Sequence, residues 1–360
     1  MSDNIILRST VTLDFTLASK QYEINSEEEA QDYFHARGLT DGLPIVPPTS
    51  EKVIACLHQS GMVPTHVLGV EPVRGRVITA EKTAINAVLA GCQPLHFPVV
   101  AAAVEAMCHP EFLLHGATCS TGGCAIFMVV NGPIVQELGM GATFNALANS
   151  DRASAVIGRS IRLILNNILD VKPGGLDRST LGHPGKFSYC LAEDENGTDW
   201  IPLAQQRGAP TDISTVTVFA AGSPRQIMNE WTTVPEEILE TFAAEIKANM
   251  LHYSVWGGNY VIVLPKQLRS RLEEANWSKS DVQRFIFEHA RVKKHDWIKV
   301  GKKSLVTDNK DKEFSALTNP EDLLVIAAGG PAGGFGAVIP PWFGHKSRAV
   351  TMGIGVCFDC

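Results

Sequence analysis

The sequence predicts an α/β protein of two domains, with mixed sheets covered by helices. In the second half of the chain, short apolar runs typical of buried strands alternate with longer segments of helical periodicity. A chain of 360 residues is also longer than one hydrophobic core usually fills. A stretch with glycine and proline is the expected boundary, between a helix-rich α/β domain at 1–205 and a second α/β domain at 212–360.

The composition excludes several classes of protein. The net charge is −7 and the charged residues of both signs are mixed along the chain, so no basic stripe for nucleic acid is present. No uncharged apolar run approaches the ~18 residues of a membrane span. The first 26 residues lack the pattern of a signal peptide. We therefore expect a cytoplasmic protein whose eight cysteines are reduced, without nucleic acid or membrane as a partner.

The first half is predicted to be mostly helical. Ser26, Thr79 and Asp151 suit the N-cap position of a helix, because their side-chain oxygens can accept from free backbone N–H groups. Gly91 is suited to end a helix. The predicted helices cover 26–37, 51–60, 80–90, 99–108 and 151–169, and a buried strand covers 125–130.

The second half alternates between strands and helices. The predicted strands are 215–221, 260–264 and 323–328, and the predicted helices are 235–250, 267–275 and 280–292. No internal repeat is visible in the sequence.

Two cysteine pairs are the main chemical feature. Cys119 and Cys124 flank a glycine-containing loop before the strand at 125–130, and Cys357 and Cys360 end the chain. Paired thiolates either bind a soft metal or exchange electrons. The spacings Cys-x4-Cys and Cys-x2-Cys would suit a zinc ion or an iron–sulfur cluster, with His115 as a further potential ligand.

Two other interpretations of the four thiols stay open. Without metal, the tail pair could reduce a disulfide of the inner pair, as a dithiol relay. Alternatively, the four cysteines are unrelated. Whether the thiols bind a metal or form a relay, Asp359 lies between the tail cysteines and could protonate a leaving group.

Three further segments could line a pocket. The loop around His183 and Lys186 offers an imidazole and an amine, and these with Cys119, Cys124 and Asp359 are the predicted catalytic residues. A glycine-rich loop follows the strand at 323–328, and substrate-binding roles are predicted for Asp41, Gly329, Gly330, Gly333 and Gly334. That loop matches neither the dinucleotide fingerprint nor the P-loop, so NAD and ATP are not expected.

The helix at 151–169 carries three arginines on one side. Arg152, Arg159 and Arg162 share a face by the 3.6-residue period. This pattern is typical of a solvated or ion-paired face, and an anion-binding face is the alternative.

Several segments together resemble a poorly characterised bacterial family with a Thr-Asp-Gly-Leu-Pro-x-Val-Pro-Pro-Thr motif. They are 40–49, 77–94, 130–134, 182–190, 277–291 and the loop at Gly329, and the likeness covers roughly 37–350. Members of that family resemble proteins encoded near, or fused to, redox proteins with a selenocysteine-Gly-Ser-Cys motif. The resemblance implies thiol-dependent or redox chemistry. This chain departs from the family pattern in both cysteine pairs.

Together these patterns favour an enzyme whose thiolate site, metal-bound or free, performs lyase or redox chemistry on a small molecule. A non-catalytic metal-binding subunit that serves a redox partner protein is the alternative. We also expect a homo-oligomer.

Overall fold

The computed structural model describes residues 15–148, 150–253, 258–306, 311–342 and 346–355. Its helices are α1 (Glu27–Ala36), α2 (Ser50–Gln59), α3 (Ala80–Ala90), α4 (Phe97–Cys108), α5 (Leu114–Cys119), α6 (Ile134–Glu137), α7 (Arg152–Asn167), α8 (Leu203–Gln206), α9 (Pro235–His252), α10 (Lys266–Glu274), α11 (Lys279–His289) and α12 (Lys294–Lys299). Its strands are β1 (Val67–Glu71), β2 (Arg76–Thr79), β3 (Ala125–Asn131), β4 (Cys190–Ala192), β5 (Thr215–Ala221), β6 (Arg225–Met228), β7 (Tyr260–Leu264), β8 (Arg291–Lys293), β9 (Glu313–Ser315), β10 (Leu323–Ala327), β11 (Phe335–Ile339) and β12 (Val350–Gly353). Within the described ranges no single helix could cross a membrane by length and apolar character, although one pair bent by 72° meets both criteria in combination.

The predicted α/β class with mixed sheets is confirmed. Ser26, Thr79 and Asp151 cap α1, α3 and α7, each by accepting a backbone N–H with its side chain. The strands predicted at 215–221 and 260–264 have those bounds. Short, mostly apolar runs and good caps therefore predicted these elements correctly.

Several strands were missed. The hairpin of β1 and β2, and the strands β4, β6, β8, β9, β11 and β12, are only three to five residues long. β6 has no buried residue, and β12 is only partly buried. Such short or exposed strands give no apolar run that a sequence pattern could identify.

The two main sheets have four strands each. One has the order β12-β5-β3-β4, in which β3 and β4 are parallel and β5 is antiparallel to both β3 and β12. The other has the order β10-β7-β11-β6, in which β10 and β7 are parallel and β11 is antiparallel to both β7 and β6. The two sheets therefore have the same arrangement of strand directions.

The chain passes through this arrangement twice. β3, β4 and β5 take the same sheet positions, in the same chain order, as β7, β10 and β11. The fourth strand is exchanged: β6 follows β5 but joins the second sheet, and β12 follows β11 but joins the first. This topological repeat was not visible in the sequence. The division into domains 1–205 and 212–360 stays a prediction, and the pairing of β5 with β3 crosses it.

The sheets pack face to face and are covered by helices on both outer sides. Alternate residues of β3 face different cores, with Ile126 and Met128 toward α3, α4 and α7, and Phe127 and Val129 toward the second sheet. On the other side, Ile262 of β7 packs against α9, α10 and α11. The result is a four-layer arrangement of helices, sheet, sheet and helices.

A buried carboxylate joins the two sheets at one end. Glu193, directly after β4, is 2% exposed. Its carboxylate accepts hydrogen bonds from Asn131 Nδ2 (2.7 Å), Leu203 N (2.7 Å), Lys279 Nζ (2.6 Å) and Ala327 N (3.2 Å). These partners belong to β3, α8, α11 and β10, so one side chain connects both sheets with two helices. Buried charges are tolerated when paired and hydrogen-bonded in this way.

We expect Lys279→Met to reduce the free energy of unfolding by about 3–5 kcal/mol, because it leaves a buried carboxylate without its cation. The side chains of the Lys279–Glu193 pair are 2% and 1% exposed. Lys247→Met is the matched control, since Lys247 and Glu240 are also 2.6 Å apart but 31% and 47% exposed. That variant should lose less than about 1 kcal/mol. Equal losses in urea denaturation would contradict the special role of the buried pair.

Candidate functional site

The thiol loop, residues 119–124, connects the end of α5 to the start of β3. Cys119 is partly exposed and Cys124 is 7% exposed. The sulfur of Cys119 lies 3.7 Å from the carbonyl oxygen of Gly116, and that of Cys124 lies 3.1 Å from the carbonyl oxygen of Ala117. Both thiols therefore donate to consecutive carbonyl groups of one short helix, and neither is in a disulfide.

The loop that carries His183 and Lys186 packs directly on the thiol loop. Gly123 has a φ of +73°, and a Cβ there would lie 2.9 Å from the backbone of Gly182. Thr180 N donates to Thr121 O at 3.1 Å. Glycine is required at Gly123 both by its conformation and by this close approach. Two of the sequence-predicted site segments are thus neighbours in space.

A cluster of charges lies beneath this contact. Lys186 Nζ is 3.0 and 2.8 Å from the two carboxylate oxygens of Asp177 and 2.6 Å from Ser179 Oγ. Arg162, from α7, donates to the same carboxylate with both terminal nitrogens at 3.3 Å. The Asp177 side chain is 4% exposed, whereas those of Arg162 and Lys186 are 14% and 18% exposed. One buried carboxylate is thus shared by two cations.

These contacts set the acidity of two groups. Burial alone would raise the pKa of Asp177, but hydrogen bonds from Lys186 and Ser179 outweigh it and lower that pKa to about 2. Burial raises the pKa of the Cys124 thiol to about 12, and the positive charge of Lys186 opposes this rise. Cys124 is therefore a protonated thiol at neutral pH, and Lys186 is the group that favours its thiolate.

Cys124, Asp177 and Lys186 all line one small cavity of about 30 Å³. The polar side chains in its wall are Thr118, Cys124, Arg162, Asp177 and Lys186. The rest of the lining is mostly apolar and comes from α5, α7 and the first residues of β3. The cavity has room for about two water-sized groups, since one such group needs roughly 10–15 Å³. It brings a thiol, two cations and one carboxylate together.

Two aromatic side chains from distant parts of the chain cover the thiol loop. The Tyr253 hydroxyl, just after α9, donates to Gly122 O at 3.3 Å. The Trp342 indole N–H donates to Ser120 Oγ at 2.7 Å. A Cβ on Gly116 would lie 2.7 Å from the Trp342 ring, so this ring packs closely on α5. Tyr253 follows the strands of the first repeat, and Trp342 follows those of the second. Both repeats therefore contribute a residue that holds the loop.

His183 is held by the backbone through both ring nitrogens. Nδ1 accepts from Gly185 N at 3.2 Å, and Nε2 lies 3.3 Å from Ala221 O at the end of β5. Because a carbonyl can only accept, this pattern assigns the proton to Nε2. Burial lowers the pKa of His183 below its ordinary value. The neutral ring therefore connects the loop to β5, and its predicted catalytic role stays a prediction.

The predicted substrate-binding residues lie elsewhere. Asp41 forms a two-pronged ion pair with Arg159 at 2.7 and 2.8 Å, and its side chain is 4% exposed. Gly329 N donates to Ala142 O at 2.8 Å, and a Cβ on Gly330 would lie 2.9 Å from the Phe144 ring. No residue of the glycine-rich loop lines the cavity at Lys186. Asp41, Gly329, Gly330, Gly333 and Gly334 therefore lie outside the lining of this cavity, and their substrate-binding roles stay predictions.

A larger cleft lies at the opposite end of the sheets. It measures about 540 Å³ and is lined by Gly132, Thr143 and the acidic residues Glu193, Asp194 and Glu195. The carboxyl ends of β3 and β4 meet there, a position where α/β folds often bind ligands. Glu193 and Asp194 are paired with Lys279 and Arg269, and Glu195 accepts from Asn131 and Gly132.

The described residues contain no group of three or more His, Cys, Asp or Glu side chains arranged to hold a metal ion. His115 Nδ1 lies 3.2 Å from Glu71 Oε1, without the alignment of a hydrogen bond. Cys357, Asp359 and Cys360 lie outside the described residues. A four-thiolate site that includes them stays a prediction.

Sequence reasoning missed Asp177, which organises the charge cluster. Asp177 lies nine residues before Lys186 in the same Gly- and Pro-rich loop, and Arg162 belongs to the arginine face of α7. Of that face, Arg152 donates to Gly91 O, while Arg159 and Arg162 pair with Asp41 and Asp177. The ion-paired interpretation thus fits Arg159 and Arg162, whereas Arg152 bonds to a backbone carbonyl group.

Comparison of the chain with protein-family models, curated proteins and solved structures gives no match. The function must therefore be argued from the geometry of the site itself.

We expect Asp177→Asn to remove at least about 2 kcal/mol of stability at neutral pH. The folded pKa of Asp177 is about 2, below the ordinary 3.8, so its stabilisation is present above about pH 4 and lost as pH falls toward 2. The melting temperature of the variant should therefore fall less steeply over that pH range than that of the wild type.

Asp170→Asn is the control, because Asp170 is 59% exposed and its nearest cationic nitrogens are 3.9 Å away. It should retain the wild-type pH profile. An unchanged profile for Asp177→Asn would mean that the ion pairs of Asp177 do not contribute to acid stability.

Proposed function

We propose that this chain is a thiol-dependent enzyme that acts on a small molecule, with Cys119 and Cys124 as its reacting groups. One observation carries the proposal: Cys124 and Lys186 line the same small cavity. A thiol reacts as its thiolate, and a nearby cation is the usual means of stabilising that form.

The two thiols are suited to act as a pair. Their sulfurs lie against consecutive carbonyl groups, those of Gly116 and Ala117, and the glycines between them allow the loop to adjust. Cys119 is the more exposed and is suited to meet a substrate first, while Cys124 lies deeper beside Lys186. This arrangement resembles an attacking thiol with a resolving thiol behind it.

Redox chemistry follows directly from such a pair. When Cys119 and Cys124 form a disulfide, they release two electrons and two protons. A reducible bond of the substrate takes up these electrons and protons as it breaks. The tail thiols of Cys357 and Cys360 could then reduce the new disulfide by exchange, in which one disulfide forms as another breaks. Lyase chemistry is the second candidate, because a Cys119 thiolate could also attack carbon while Asp359 or Lys186 supplies a proton to the leaving group.

Other features of the chain agree with this proposal. The resemblance to a family associated with selenocysteine-Gly-Ser-Cys redox proteins favours thiol chemistry and a redox partner protein. A reduced dithiol needs a reducing compartment, so the proposal includes the cytoplasm. Zinc or iron–sulfur binding by Cys119, Cys124, Cys357 and Cys360, in a homo-oligomer or a redox complex, is the alternative. This metal-binding alternative needs the tail thiols as well, because the described residues alone contain no group arranged to hold a metal ion.

The proposal is tested by redox titration of protein purified without oxygen. After equilibration over a series of dithiol buffers, the free thiols are alkylated and the peptides are identified by mass spectrometry. We expect Cys119 and Cys124 to be oxidised together, with a single midpoint. Cys119→Ser or Cys124→Ser should abolish this two-electron transition, because a lone thiol cannot form the internal disulfide.

Cys108→Ser is the control, since Cys108 is partly exposed and lies outside the site. It should leave the midpoint unchanged. Elemental analysis of the same samples separates the alternatives, because a metal site would show bound zinc or iron that is lost in the Cys119 and Cys124 variants. If both cysteines stay reduced and the protein is free of metal, the proposal is wrong.

A further inference from the structure

The charges around the Cys124 cavity do not balance. Arg162 and Lys186 are both largely buried, and each pairs with Asp177. In the described part of the chain neither cation has another ion-pair partner. Two positive charges thus share one negative charge, which leaves one unit of positive charge in excess. An uncompensated buried charge is costly, so such a cluster favours the binding of an anion.

The cavity wall is suited to a small anion rather than to an extended one. About 30 Å³ of space adjoins Lys186, Arg162 and Asp177. Thr118 and Cys124 add a hydroxyl and a thiol, and the remaining lining, including Ile126 and Ile161, is mostly apolar. An apolar wall strengthens the attraction between an ion and the cations, because the local dielectric constant is low. Room for about two water-sized groups fits a halide or the two oxygens of a carboxylate.

We infer that this cavity binds a monovalent anion: the carboxylate end of the substrate, or a halide that occupies the same place. This deepens the proposed function, since it names the chemical class of the substrate, and it rests on that proposal only for the link to catalysis. Lys186 and Arg162 hold the anion, while Asp177 keeps both cations in position and limits their excess charge to one.

The test measures melting temperature against increasing sodium bromide or sodium formate. Sodium methanesulfonate keeps the ionic strength constant, because its head group of three oxygens is larger than the space for about two water-sized groups. The wild type should be stabilised by formate or bromide beyond the methanesulfonate baseline. A response to formate alone identifies a carboxylate site, and a response to bromide alone identifies a halide site. No response to either would overturn the inference.

Three variants test the charge balance. Lys186→Met should weaken the anion affinity at least about tenfold, since it leaves Arg162 and Asp177 as a neutral pair. Lys172→Met is the matched control on the same loop, where Lys172 is 44% exposed and 3.9 Å from Asp170, and it should bind as the wild type does. Asp177→Asn should bind the anion more tightly, because both cations then lack a carboxylate. Equal affinity in the wild type and Lys186→Met, or weaker binding by a folded Asp177→Asn, would contradict the inference.

Two further measurements separate this inference from the proposed function. Cys119→Ser removes the cysteine pair without changing the cavity lining, so it should bind the anion with wild-type affinity even if the pair has no redox role. If the charge variants do not fold, anomalous scattering from bromide-soaked wild-type crystals decides the matter. A bromide peak within contact distance of Lys186 and Arg162 supports the site, and the absence of a peak together with no stabilisation by formate refutes it.

Discussion

The carboxylate of Glu193 fixes how the two sheets meet. It lies at the end of β4, and its partners belong to β3, α8, α11 and β10. Because the group is buried and charged, each partner must keep its place to avoid a large desolvation cost. The apolar core between the sheets has no such directional preference. We therefore attribute the packing of the layers to the core, and their relative position at this end to Glu193.

The thiol site lies at the other end of the same sheets, and its geometry depends on that alignment. Cys124 directly precedes β3, and His183 contacts the carbonyl of Ala221 where β5 ends. Trp342 N donates to Ala220 O at 2.9 Å, so the segment after β11 is attached to the end of β5. Tyr253 reaches the thiol loop from the end of α9. Loops from both repeats of the fold thus converge on one pair of cysteines.

Local patterns were enough to predict the central elements of the fold. The buried strand β7 is a continuous apolar run, β5 interrupts its apolar residues with only two threonines, and the N-caps Ser26, Thr79 and Asp151 mark their helices. The exchange of β6 and β12 between sheets could not be predicted, because short strands leave no pattern and their partners are far away in sequence. The same holds for the site: Cys124 and Lys186 were candidates, but the packing of their two loops against each other is tertiary.

The positive charge of Lys186 is the feature that we expect to favour the thiolate form of Cys124. The direct measurement is the pH dependence of Cys124 alkylation, followed by mass spectrometry in the wild type, Lys186→Met and Asp177→Asn, with Lys172→Met as control. The wild-type profile should rise toward the pKa of about 12. Loss of the cation should move the profile to higher pH, and loss of the carboxylate should move it to lower pH. Four coincident profiles would contradict the claim and return Cys124 to the role of a packing residue.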